Sequence, residues 1–401
     1  MTAYCMKPGQ KKRVAVLGSI VCGALTVAQP AMAQPLDFSG YYENTLQLDY
    51  TAATKLQVLD ASKLRLDAGL LITRGLEVRG NVNLIVSLGQ LQRNISPYLP
   101  PSVARELQAA GIPDTFELNR ARLFVDNLFV TWVPGNFRFR AGRQQLSWGP
   151  GYSYNPTDLF HRKTLVDPTY EKEGVTALRA DYRWGIGGQV SLIGAPKSDL
   201  SHSGYALRAG THVSQIGYDV AVTAHRVTDS TGLDPVTLAP LTQRRRALGL
   251  DFVGELFGLG VWLEGNYNWM ELEADFLRLV FGTDYTFNDG TYVMLEALYN
   301  GRSTGSPPYP ASDWLANLFY GEPVGPGWIL AGVRRDISDF WSGNLYAFLS
   351  PGGSALLNPR VDASITQNID LVLYGGLTLG DEEGSFPSGL LSLVGRLTVY
   401  F

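Results

Sequence analysis

Along most of this chain apolar residues recur at every second position, and no stretch after residue 33 approaches the run of about 18 apolar residues that a membrane helix needs. In SKLRLDAGLLIT, Leu64, Leu66, Ala68, Leu70 and Ile72 point one way while Lys63, Arg65, Asp67 and Gly69 point the other. GLEVRGNVNLIVSL, NFRFRAG, VTALRADYRW, VWLEGNYNW and YVMLEALY repeat the pattern. A period of two is the signature of strands with one apolar face. It does not by itself separate a sandwich with a dry interior from a barrel with an apolar exterior.

Connection lengths separate them. The pattern predicts about eighteen strands, with sixteen as the alternative, and every second link is tight. The tight links fall at Arg74-Gly75, Pro134-Gly135, Phe257-Gly258, Asn288-Asp289-Gly290, Ser338-Asp339 and Asn368. The intervening links are mostly longer: Gly89 to Leu118, Trp148 to Glu173, Thr228 to Gln243 and Gly301 to Pro326. Short turns at one rim and long loops at the other predict an all-β fold, a closed antiparallel transmembrane β-barrel. Composition agrees, with 44 Gly, 11% aromatic and 17% charged residues in 401.

Two segments bracket the barrel. Residues 1–33 carry Lys7, Lys11, Lys12 and Arg13, then the apolar run Val14 to Val27, then Ala31-Met32-Ala33, which is the order of a cleaved secretory signal peptide. Both cysteines, Cys5 and Cys22, lie inside it, so residues 34–401 hold no thiol. At the other end LLSLVGRLTVYF places Leu397, Val399 and Phe401 on one face. A terminal Phe closing an alternating apolar strand resembles the C-terminal assembly signal of Gram-negative outer-membrane proteins. That resemblance implies the cell outer membrane as location, and its lipid, lipopolysaccharide and assembly machinery as partners. The segment GRQQLSWGPGYSYNPTDLF (142–160) resembles a strand end and loop of large porin-like barrels, a group that includes alginate-export and capsule-assembly proteins. Its motif residues are Trp148, Gly149, Asn155, Pro156 and Asp158. Trp148 and Tyr152 are expected in an aromatic belt at the outer headgroup level. Asn155 to Asp158 has the composition of an Asx-type turn in a loop that folds on itself or over the pore.

Polar parity gives the lumen wall. The N-terminal half contributes Lys63, Arg65, Arg79, Arg122, Arg138, Arg140, Arg179, Arg183 and Arg208; in the C-terminal half Asp251, Glu264, Asp284 and Glu296 lead an acidic set. Strands consecutive in sequence are neighbours in a barrel, so a basic wall should face an acidic one across water. Two inserts, 102–111 and 312–321, have helical composition and are expected at the long-loop rim. The four His residues form no catalytic or metal motif, and His212 and His225 are expected at the rim. Arg244 to Arg246 sit in a chain of net charge −4, which argues against nucleic acid. The reading is therefore a non-enzymatic, porin-like channel for small hydrophilic solutes, anions among them, without cofactor or metal and with the oligomeric state open. The alternatives are a barrel for polymer export or surface assembly, a plugged surface-binding barrel, and an outer-membrane enzyme.

Overall fold

A computed structural model describes residues 36–401 apart from 53, 162, 164, 166, 168, 169, 234–239 and 304. The expected signal peptide, 1–33, lies outside the described residues. Eighteen antiparallel strands form one sheet, each paired with its neighbours in sequence. The first strand, Asp37–Thr51, also pairs with the last, Leu391–Tyr400, in a register running from Tyr41↔Tyr400 to Tyr50↔Leu391. The sheet thus closes on itself, and no strand edge is left to face hydrocarbon.

The alternation read from the sequence sorts the two faces. On the last strand Leu391, Leu393 and Leu397 are exposed outward, while Val394 and Thr398 are buried inward. The same holds around the ring, with Leu64, Leu123, Leu178, Leu248 and Leu295 outside and Asn83, Asp181, Thr223 and Glu264 inside. An exterior of Leu, Val and aromatic side chains over a polar interior is the inverse of a soluble protein and belongs to a barrel in the outer membrane.

The tight turns fall where expected. Phe257 and Gly258 both have positive φ, 55° and 80°, the geometry of a two-residue turn whose twist matches the strands it joins. One long link is different. The segment Thr228 to Gln243 is largely strand, because Tyr218–Leu233 and Pro240–Leu256 stay paired up to Leu233↔Pro240 and carry the sheet above the rim.

The two inserts are helices, α1 (Pro101–Ala109) and α2 (Ala311–Tyr320). Ser102 and Ser312, the first residues of the two inserts, do not cap them. Proline holds both N-cap positions, and Ser102 lies inside α1, where its amide donates to Glu383. Gly321 closes α2 in the left-handed region, as its place in the sequence implies. The loops carrying α1 and α2 leave the ring almost opposite one another, yet Val103 and Leu107 pack with Trp314, Tyr309 and Val324 in one cluster. The helices therefore meet across the long-loop mouth, each covering the apolar face the other could not leave in water.

Phe401 completes the seam. Its amide donates to the Gly40 carbonyl and its carbonyl accepts from the Gly40 amide, both at 3.0 Å. A Cβ on Gly40 would stand 2.3 Å from the Arg65 carbonyl oxygen and 3.0 Å from the Phe401 ring. Deleting Phe401 removes two ladder bonds and an outward aromatic from the closing pair. The folded, heat-modifiable fraction in outer membranes should fall, and Gly40→Val should reproduce the loss; an unchanged fraction in both would show that the seam does not depend on this contact.

Candidate functional site

The lumen is governed by the loop 145–174, which leaves the ring between the strands Phe137–Gln144 and Val175–Trp184. Its first turn points inward. Gly149 has φ +88°, and a Cβ there would lie 2.2 Å from a Glu264 carboxylate oxygen, so the chain passes directly over that side chain. Four donors converge on Glu264: the Gly151 amide at 3.1 Å, Asn155 Nδ2 at 3.0 Å, and the Thr157 amide and hydroxyl at 2.7 Å each. Glu296 accepts from the Tyr152 amide at 2.6 Å, the Ser153 amide at 2.7 Å, the Ser153 hydroxyl at 2.5 Å and Trp262 Nε1 at 2.9 Å. Both carboxylates are buried. Charge-assisted bonds of this kind are about twice as strong as neutral ones, and here they replace the water that a lumen carboxylate would otherwise hold.

Apolar contacts finish the docking. Tyr154 packs with Trp262, Val280, Leu298, Trp328 and Phe348, and its hydroxyl accepts from Arg278 Nη1 at 2.8 Å. Trp148 packs with Leu146, Ile193 and Ala206 and lies beneath the Arg208 guanidinium. Tyr152 stacks on Tyr346 at 5.4 Å between centroids. The expectation of an aromatic belt is thus corrected for Trp148 and Tyr152, which point inward: the loop enters the barrel, and the amphipathic rings that would suit a headgroup layer equally suit a wall lined with Tyr, Trp and Arg. Asn155 to Asp158 forms the expected turn, with the Asp158 amide donating to the Asn155 carbonyl at 3.1 Å and the Asp158 carboxylate accepting from the Phe160 amide at 3.2 Å. The Pro156 carbonyl accepts from Asn266.

The returning half of the loop crosses the lumen. Asp167 meets Arg360 at 2.9 Å and Arg396 at 2.7 Å. Glu171 meets Lys63 and Arg65, each at 2.9 Å, and accepts from the Tyr41 hydroxyl. Glu173 meets Arg122 at 3.2 Å. Lys63 and Arg65 stand halfway round the ring from Glu264, so one segment bridges opposite walls. Burial alone would raise the Glu171 carboxyl, but Lys63, Arg65 and the Tyr41 hydroxyl together hold it below its ordinary value. Burial, reinforced by Lys172, pushes the Lys163 ammonium down to about 8; its Nζ donates to the Gly151 and Tyr152 carbonyls at the base of the loop.

The residues expected to line the lumen divide accordingly. Glu264 and Glu296 face inward but are covered, so they hold the loop and do not touch pore water, a correction to their role as exposed lining. Arg65 and Arg122 are bound to the loop's carboxylates, Arg179 pairs with Asp181 at 2.8 Å, Arg208 with Asp251, and Arg79 with Glu77 at 3.3 Å. Asp284 accepts from the Tyr292 hydroxyl. Among the described residues Arg138, Arg140 and Arg183 have no carboxylate partner; Arg140 donates to Thr131 Oγ1 and Arg183 to Gln189. On the short-turn side of the loop lies a cavity of about 710 Å³ lined by Tyr41, Arg65, Asp67, Arg79, Arg140 and Glu171, among others. A second, of about 640 Å³, is lined by Arg334, Asp336, Arg360, Asp362 and Asp370. The basic and acidic walls are therefore only partly present as free charge. His225 is also corrected: it is buried, its Nε2 donates to the Thr157 carbonyl at 2.9 Å, and it lies far along the hairpin from His212, which pairs with Asp219 at the short-turn rim.

Asp167, Glu171 and Glu173 carry no mark in the sequence, since their partners are up to 229 positions away. The available signal was the run GPGYSYN at 149–155 together with carboxylates at inward parity, Glu264 among Trp262, Asn266 and Asn268, and Glu296 among Met294, Leu298 and Asn300.

No protein-family model and no curated protein sequence matches the chain. Among solved structures, it is similar to OccAB1 of Acinetobacter baumannii (TM-score 0.59, 9% identity, 93% of this chain and 98% of that one). It is also similar to the outer membrane protein OpdK (TM-score 0.58, 10% identity, 92% and 98%) and to OccK9 (TM-score 0.57, 12% identity, 91% and 98%), both of Pseudomonas aeruginosa. At such identities the likeness establishes the fold.

Glu264→Ala removes the acceptor shared by four donors in a dry site, of which Asn155 Nδ2 keeps another in the Gly151 carbonyl. The docked loop should weaken by at least about 3 kcal/mol, read as new protease cleavage within 148–160 and a larger, noisier single-channel current; an uncleaved loop with wild-type current would contradict the docking role. The Glu171 contact has a defined pH sign. A carboxyl lowered in the fold stabilises above its ordinary value of about 4.3 and loses that contribution as pH falls through its folded value. The Glu171 contact should therefore add no step in current above its ordinary value and one below it, and Glu171→Gln should remove that acid step while leaving any step at higher pH in place. A step near neutrality would point to another group.

Proposed function

We propose that the barrel is a passive outer-membrane channel for small hydrophilic solutes, with a preference for anions, and that it carries out no chemistry. The observation that carries the reading is the set of three arginines, Arg138, Arg140 and Arg183, without carboxylate partners on adjoining strands beside the loop, with Arg140 lining the cavity of about 710 Å³. Arginine stays charged at any working pH, so this stretch of wall is a fixed positive surface. It raises the local concentration of anions and penalises apolar solutes, which must displace ordered water. Most other lumen charges are paired with one another or with the loop, so they set the width of the passage more than its sign.

A plugged barrel that binds at the surface is the second reading, and the packing of α1 on α2 across the mouth favours it. Polymer export finds less support, since a chain passing straight through would have to break the seven bonds that the loop donates to Glu264 and Glu296. Planar-bilayer recording separates the readings. The channel reading expects measurable current and a reversal potential displaced toward anions in a salt gradient, more so at 0.1 M than at 1 M, where the Debye length falls from about 10 Å to about 3 Å. Arg138→Ala with Arg140→Ala should weaken or reverse that displacement without loss of folded protein. Absence of current would support the plugged reading, and identical selectivity in both proteins would reduce these arginines to structural charges.

A further inference from the structure

The run Arg244-Arg245-Arg246 is split by the pleat. Arg245 turns into the lumen, buried, and donates to Asn268 Oδ1 at 2.8 Å. Arg244 and Arg246 turn outward and are exposed, as is Arg226 on the neighbouring strand. Register aligns them. Tyr205 stands opposite Arg226, Arg226 opposite Arg246, and Arg246 opposite Trp269, so one lateral row across four strands reads Tyr, Arg, Arg, Trp. Arg244 is one outward step above, opposite Thr228. Below the row the outward positions are Val222, Leu248 and Leu250, all exposed. The arginines therefore mark the upper edge of the apolar band on the long-loop side, where Tyr and Trp also collect.

Two like charges directly opposite on paired strands destabilise a sheet. Among the described residues no carboxylate side chain pairs with Arg226, Arg244 or Arg246; Glu271, the acid at this edge, accepts the Arg244 backbone amide at 2.9 Å. An anion between the guanidinium groups would relieve that repulsion, and their planar forks suit phosphate oxygens bidentately. A second feature adjoins the first. Tyr205 also lines an outward-facing apolar groove of about 550 Å³ where Ala141, Ala180 and Gly194 leave a depression between Trp132, Phe139 and Leu192. Side chains that short on a lipid-facing wall make room for acyl chains.

We propose that Arg226, Arg244 and Arg246 form a binding site for the phosphorylated glucosamine headgroup of the outer-leaflet glycolipid, with acyl chains of the same molecule in the groove beside Tyr205. The site rests on the outer-membrane placement of the barrel and is independent of what passes through the lumen. It gives the outward half of the RRR motif a role that nucleic acid does not fill, and it fixes one sector of the barrel wall against the lipopolysaccharide layer.

The test uses the full chain refolded in detergent without lipopolysaccharide, titrated separately with diphosphoryl lipid A, dephosphorylated lipid A and phosphatidylglycerol, with bound lipid counted by native mass spectrometry. Wild type should retain diphosphoryl lipid A, and Arg226→Gln with Arg246→Gln should weaken it by about tenfold or more. Dephosphorylated lipid A should bind as weakly to wild type as the phosphorylated form binds to the variant. Equal retention by variant and wild type would overturn the site, and equal binding of phosphatidylglycerol would replace it with a general attraction for anionic lipid. If the double variant yields no heat-modifiable barrel, the comparison of the two lipid A forms on wild type decides alone. Current through the pore should be the same in variant and wild type, so a failure here and a failure of the channel reading are separate results.

Discussion

Hydrocarbon offers the peptide backbone no hydrogen-bond partner, and each unpaired amide or carbonyl left there costs several kcal/mol. That constraint decides the architecture. A sheet in lipid has to close, so the first strand pairs with the last and Phe401 bonds to Gly40 at the seam. Eighteen strands enclose an interior too wide for wall side chains to fill. The chain then has two options, water or a loop, and here it uses both: water-accessible cavities toward the short-turn rim, and the segment 145–174 folded into the half nearer the mouth.

The loop is held by the same physics turned inward. Backbone amides of Gly151, Tyr152, Ser153 and Thr157 have no ladder to join, and Glu264 and Glu296 supply acceptors for them. Carboxylates in a lumen would normally be wet; covered by the loop they are satisfied only while it stays. On the way back the loop presents its own acids to the basic wall, at Lys63 and Arg65 and at Arg360 and Arg396. Docking is therefore reciprocal, with wall acids on loop amides and loop acids on wall cations. Arg138, Arg140 and Arg183 stand outside this exchange, which is why the proposed anion preference rests on them.

Much of this was legible in the sequence. Alternation fixed which side chains face lipid, because a one-residue slip would put Leu64 or Leu393 in water. Turn chemistry located the short rim, and the two helices announced themselves by composition and by Gly321. The loop's destination was not legible. A period of two says that Glu264 points inward but not that a segment more than a hundred positions away will cover it, and the donors on that segment are mostly backbone groups, alike in every residue. Trp148 and Tyr152 were misplaced for a related reason: an amphipathic ring satisfies a headgroup layer and a Tyr-Arg wall equally, and only the path of the chain decides. The extension of the sheet through Thr228 to Leu233 was hidden because its Thr, Asp, Ser and Gly content reads as a loop when the pairing strand is not in view.

The described residues of the segment 145–174 lie folded inside the barrel against its walls. Residues 34–401 contain no cysteine, so a single introduced pair reports on it without interference. A Cβ on Gly249 would stand 2.7 Å from Thr157 Cγ2, so the two side-chain positions are adjacent, as a disulfide between them requires. The Gly249→Cys, Thr157→Cys protein should cross-link almost completely in intact outer membranes, and its single-channel current should be unchanged by subsequent reduction. No cross-link in a folded barrel, or a current that rises when the bond is reduced, would mean that Thr157 does not rest against the wall at Gly249.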